Sequence, residues 1–168
     1  VCEYSIYKNS PSVEVKSLNQ SQLRRDGLYT RAADPLSSTE FTFTRFMVPA
    51  LSNYQGWALF CDCDFVWDVD VQEVFKQADP RYAVMVVKHD YKTKMPVKYL
   101  GAKNEDYPRK NWSSVVMWNC SHPSNKILTP QYVEQSSGSF LHRFSWLPDD
   151  LIGDLPIEWN WLPDEFGY

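Results

Sequence analysis

The stretch GWALFCDCDFVWDVDVQEVF, Gly56 to Phe75, runs apolar from Trp57 to Cys61 and then turns abruptly into Asp62-Cys63-Asp64, with Asp68 and Asp70 close behind. A short apolar run followed by polar residues predicts a buried strand. In extended chain, residues two apart point to one face, so Asp62 and Asp64 are expected side by side at the strand end. Left unpaired, two such carboxylates repel and resist desolvation, and the pattern therefore calls for a cation between or beside them. Hard oxygen ligands select Mn2+ or Mg2+ over zinc, and such an ion keeps positions that phosphate oxygens fill.

The spacing carries little by itself. Thirteen Asp in 168 residues give roughly one Asp-x-Asp by chance, and Asp68-x-Asp70 is a second example. Context separates the two. The first pair ends an apolar strand, whereas the second stands where a helix begins, the usual place for an Asp cap.

Around this segment the pattern alternates helices and strands. Cys2 to Ser10 has helical spacing, and Val13 to Leu18 alternates as a strand does. Asn19 to Ser37 is polar and turn-rich and reads as a long loop, of a length that is usually functional in a compact domain. Ser37-x-x-Glu40 forms a capping box, with Phe43, Phe46, Met47 and Ala50 at helical spacing behind it and Pro49 near the exit. Asp70-x-x-Glu73 resembles a further helix start. Tyr82 to Lys88 and Ser113 to Trp118 read as buried strands, and Thr129-Pro130 as the N-cap and first position of a helix closed by Gly138. Phe140 to Tyr168, dense in Trp, Pro and Asp, reads as short helical turns and loops. The expected fold is α/β, one domain over residues 1–168, with ligands at the carboxyl ends of the strands.

Charge narrows the partners. A net charge of −4 and a pI near 5.3 argue against nucleic acid, which needs a basic face. No apolar run reaches the roughly 18 residues of a membrane span, and Val1 to Tyr4 does not read as a signal peptide. Cys2, Cys61, Cys63 and Cys120 lack the paired spacing of a zinc site and read as reduced thiols, which points to the cytoplasm. On that reading the sequons at Asn19, Asn111 and Asn119 are fortuitous. Arg24, Arg25, Arg31 and the basic residues between Arg81 and Lys98 read as a solvated face, with an acidic sugar as the competing account.

The segment SSTEFTFTRFMVPALSNYQGWALFCDCDFVWDVDVQEVF resembles the Asp-x-Asp core of GT-A glycosyltransferases, especially the retaining families that include glycogenin and bacterial lipopolysaccharide galactosyltransferases. The order there is a capped helix bearing an Arg, a Pro, a strand ending in Asp-x-Asp, and an acidic helix start. SSVVMWNC looks like the family's later strand ending in Asn, and LPDDLIGDLPIEWNW like the segment with an Asp near the sugar. The resemblance implies a GT-A, Rossmann-like domain with a mixed central sheet, using Mn2+ (or Mg2+) and a UDP-sugar donor to glycosylate a carbohydrate or other hydroxyl acceptor.

By the same resemblance, Asp64 would ligate the metal and Asp62 would contact metal or ribose. Arg45 would pair with an acid or with donor phosphate or sugar. Asp149 and Asp150 would lie near the donor sugar, as electrostatic stabilisers in a retaining enzyme or as base in an inverting one. Trp118 and Asn119, with Tyr29, Thr30 and Arg31 of the long loop, are the remaining donor-binding candidates. Trp118, Trp146, Trp159 and Trp161 could stack on a sugar, with core packing as the alternative for each.

Two departures qualify this. Relatives begin with a strand that contacts the base, whereas this sequence opens in the helix after it, and it stops before the His that completes the metal shell. His89, His122 and His142 are not in that motif, and His142 reads as packed or surface-exposed. A minimal or trimmed domain is therefore expected. A non-catalytic sugar-binding domain and a sugar nucleotidyltransferase are the competing readings; for the latter no Gly-rich phosphate loop is found.

Overall fold

A computed structural model describes residues 1–32, 42–90 and 108–163. These form a mixed α/β fold around one four-stranded sheet in the order β1-β3-β2-β4, with β1 at Trp57–Cys61, β2 at Val84–Val86, β3 at Val115–Asn119 and β4 at Ile152–Asp154. β3 runs antiparallel to both its neighbours, and β2 and β4 are parallel. The register pairs Cys61 with Val115, Val86 with Val116 and Val86 with Asp154, so β1, β2 and β4 all end on the same side of the sheet. That side is where Asp62 leaves β1.

Strand alternation divides the core in two. Phe60, Val116, Trp118, Val84, Val86 and Ile152 face one layer, with Phe46, Met47, Leu141 and Phe144. This layer includes α3 (Val48–Leu51), α5 (Pro130–Gln135) and α6 (Gly138–His142). Leu59, Cys61, Val115, Met117 and Met85 face the other, beside α1 (Cys2–Asn9) and α4 (Gln72–Phe75). α2 (Gln20–Arg25) is capped by Asn19, whose side chain accepts from the Gln22 amide.

β1 occupies the span expected, and β3 and β2 lie within or beside theirs. The Val13–Leu18 alternation does not form a strand. Val13 and Val15 bury one side against the Trp67 cluster, and burial of one side is what the alternation recorded, without a ladder partner. Pro49 opens α3 rather than closing a longer helix, because a 3-10 turn at Thr44–Met47 precedes it. The Ser37/Glu40 box lies outside the described residues. Thr129 caps α5 as expected, but Gly138 begins α6, under a Ser137 cap, instead of ending α5. β4 lies within the segment read as turns and loops. Its three residues include a glycine and are too few for a periodicity to stand out. Among the described residues, no helix is long and apolar enough to cross a membrane.

Candidate functional site

Beyond Cys61 the ladder continues for one bond, Asp62 N–H to the Ser114 carbonyl at 3.0 Å. The chain then turns, closed by the Phe65 amide on the Asp62 carbonyl at 3.3 Å. This turn corrects the side-by-side expectation for Asp62 and Asp64, since Cys63 and Asp64 are no longer in extended chain. Asp62 points toward Arg45, whereas Asp64 is exposed to solvent.

Arg45 comes from the 3-10 turn and is buried, its side chain only 7% exposed. Its guanidinium sits over the Phe60 ring at 5.0 Å and donates to the Ser113 carbonyl at 2.8 Å. Nη2 lies 3.0 Å from Asp62 Oδ1 and Nη1 3.4 Å from Oδ2. Oδ1 receives charge contact without an aligned hydrogen bond. Burial pushes the Asp62 carboxyl above its ordinary value; Arg45 opposes that shift, and the nearby Asp64 charge adds to it. Arg45, a candidate for pairing with an acid or with donor phosphate or sugar, contacts Asp62 here.

Two residues that sequence reasoning left out join this cluster. Ser113 lends its carbonyl to Arg45, and its hydroxyl lies 2.7 Å from Nδ1 of His142, which meets the Phe46 ring edge-on at 5.1 Å. No local motif marks Ser113; only the 3-10 turn before β3 and the end of α6 coming together makes the pair.

The other candidates disperse. Trp118 is wholly buried, stacked near-parallel on Trp146 at 6.3 Å, so it has no free face for a sugar. Asn119 is buried and donates to the Tyr82 carbonyl at 3.1 Å, while its own carbonyl accepts from Asn125. Tyr29 is buried in the core beneath Arg24. Thr30 bonds Glu134 through both its amide and its hydroxyl, and Arg31 donates to the Glu134 and Ser136 carbonyls while covering the Phe43 ring at 3.7 Å. Thr30 and Arg31 thus fasten the loop to α5 and its end. Asp70 stands one residue before the Val71 cap of α4; its side chain accepts from the Gln72 amide two residues on and from the Ser10 hydroxyl, and these bonds hold its carboxyl below the usual range.

Asp149 and Asp150 lie in a 3-10 turn that leads into β4, the edge strand opposite β1 in the sheet order. Asp149 is 88% exposed and pairs with Arg109, which also donates to the Arg143 and Phe144 carbonyls. Asp150 is exposed.

The far face of β1 carries the Cys61 thiol, 3.6 Å from the Cys2 thiol at the start of α1. The Cys61 S–H lowers Cys2 to about 7, against the effect of burial, and the contact pushes Cys61 up.

Among the described residues no three His, Cys, Asp or Glu side chains gather into a protein-only metal cage. Two carboxylates, one held and one open to solvent, suit the other mode of binding hard cations, in which phosphate and water complete the shell. Asp62 Oδ1 is buried, with Arg45 Nη2 at 3.0 Å as a charge contact and no aligned hydrogen bond.

No family model matches the chain, and no solved structure matches it. Among curated proteins it is similar to Protein CDI of Arabidopsis thaliana, at 52% identity over 163 residues. The match covers 96% of this chain and 63% of the relative, so the chain spans less than two thirds of the length of the protein it resembles.

Proposed function

We propose that residues 1–168 are a single GT-A-like domain that binds a UDP-sugar with Mn2+ or Mg2+ and transfers the sugar to a carbohydrate or other hydroxyl acceptor, in the cytoplasm. The observation that carries this reading is the division of labour after β1: Arg45 locks Asp62, and Asp64 stands open two residues later. Strand ends are where α/β sheets collect ligands. The unlinked state of all four cysteines favours a reducing compartment.

In this reading Asp64 holds the cation and Asp62, fixed by Arg45, supplies a second oxygen or a ribose contact. The bound metal would supply Lewis-acid stabilisation of the leaving diphosphate. Arg45 orients the Asp62 carboxyl in a half-dry setting, so that little reorganisation is needed on binding.

A second reading, a domain that binds the donor without turnover, is favoured by one observation. The acids expected beside the sugar, Asp149 and Asp150, belong to the opposite sheet edge, and Asp149 is engaged by Arg109.

Thermal unfolding with UDP, with and without Mn2+, tests the shared premise. A ligand at 100 times its dissociation constant should stabilise the fold by about 2.7 kcal/mol. The expected result is stabilisation that requires the metal and disappears in Asp64→Ala, a substitution at an exposed position that should itself cost under about 0.5 kcal/mol. No shift with UDP and Mn2+ overturns both readings. Given binding, metal-stimulated hydrolysis of a UDP-sugar panel selects transferase over non-catalytic domain.

A further inference from the structure

The face of β1 turned away from Arg45 holds two thiols that the nucleotide-sugar reading does not use. Cys2 and Cys61 are 59 positions apart in sequence, yet their sulfurs lie 3.6 Å from each other. α1 is held there by polar ties to the 67–71 segment. Ser5 Oγ accepts from the Trp67 amide at 2.9 Å, Asn9 donates to the Trp67 carbonyl at 2.8 Å, and Ser10 Oγ accepts from the Val71 amide at 2.8 Å. Apolar contacts from Trp67, Val71 and Val115 complete the setting.

We propose that Cys2 and Cys61 are a modification site: a thiol pair that hydrogen peroxide closes to a reversible intramolecular disulfide. A disulfide bond is about 2.05 Å long, so the sulfurs must approach by roughly 1.5 Å. Cys2 is the first residue of α1 and Cys61 the last of β1, so the adjustment falls at two element ends rather than inside either element. Cys2 is buried and Cys61 half-buried.

The chemistry balances with peroxide as the oxidant. One sulfur, as thiolate, attacks the O–O bond; an S–O bond forms, and the departing hydroxide takes up a proton as water. The second thiol then attacks the sulfenic sulfur, the S–S bond forms, the S–O bond breaks, and a second water leaves. Two thiols give up two electrons and two protons, and one peroxide becomes two waters. A dithiol reverses the step by exchange.

Cys63 and Cys120 are internal controls. Cys63 is exposed two residues from Cys61 and competes for the oxidant, whereas Cys120 is buried in the opposite layer of the core. The proposal stands apart from the nucleotide-sugar reading and needs neither metal nor donor.

The test treats the full chain with stoichiometric hydrogen peroxide, blocks remaining thiols with N-ethylmaleimide, and maps linkages by mass spectrometry without reduction. The expected product is a monomer with a Cys2–Cys61 linkage, lost on dithiothreitol treatment and absent from Cys2→Ser and Cys61→Ser, but retained in Cys63→Ser. Because the linkage closes a long loop, the oxidised form should melt higher by roughly 5–15 °C. Should a serine variant fail to fold, dibromobimane bridging of the two thiols in the reduced native protein checks their adjacency. Failure to bridge overturns the proposal. Cys63 as the linked partner, or sulfinic acid at either cysteine in place of the linkage, overturns it as well.

Discussion

Arg45 Nη2 lies 3.0 Å from Asp62 Oδ1, and the same guanidinium donates to the Ser113 carbonyl at 2.8 Å. One buried cation thus ties the 3-10 turn before α3 to the residue after β1 and to the 3-10 turn before β3. Removing either member of a buried pair leaves the other charged group in poor solvent, which costs more than the pair contributes. Arg45→Ala is therefore expected to destabilise the chain by about 3–5 kcal/mol in urea unfolding. Arg45→Lys should recover part of this, since an ammonium restores charge but not the fork that reaches both Asp62 and Ser113. A loss under about 1 kcal/mol for Arg45→Ala would show that the pair is hydrated.

Asp62 sets a pH dependence of definite sign. Burial holds its folded-state carboxyl above the ordinary 3.8, more than Arg45 lowers it. A group raised on folding contributes stability that is fully present below its unfolded value and is lost as pH rises through the folded one. In the interval just above pH 3.8, the native chain should therefore lose stability with rising pH relative to Asp62→Asn, whatever the constant offset between them. Parallel urea titrations across that interval measure the difference. The opposite slope would mean that the Arg45 attraction outweighs desolvation.

The loop at Thr30 and Arg31 is fastened by Glu134 rather than left open for a phosphate. Glu134→Ala removes the acceptor of the Thr30 amide and hydroxyl but leaves the carbonyl bonds from Arg31 in place. The expected cost is about 1 kcal/mol, because these groups are exposed and water replaces the lost bonds. Amide hydrogen exchange localises it: the Thr30 amide should lose protection while Val116 and Met117 in β3 keep theirs. Unchanged exchange at Thr30 would remove the latch from this account.

Elements with a strong local signal were legible in the sequence. The apolar run after Gly56 became β1 at its expected span, and the Thr129-Pro130 cap opened α5, because burial pattern and capping chemistry act over a few residues. Val13–Leu18 shows the limit: its alternation records one-sided burial, and nothing local tells burial against Trp67 from burial in a ladder.

What the sequence determined by itself is thus the strand that delivers Asp62 and Asp64, the acidic turn after it and the mixed α/β character of the chain. Only the tertiary structure decided which side chains meet. Sheet order put Asp149 at the opposite edge from β1, and packing between layers closed Trp118 to solvent. Chain folding brought Cys2 to Cys61, Arg45 to Asp62 and Ser113 to His142. The physical reason is that propensity, capping and periodicity are set by neighbours along the chain. A charge's partner, or a thiol's, is set by nonlocal packing and by the cost of leaving a polar group buried alone.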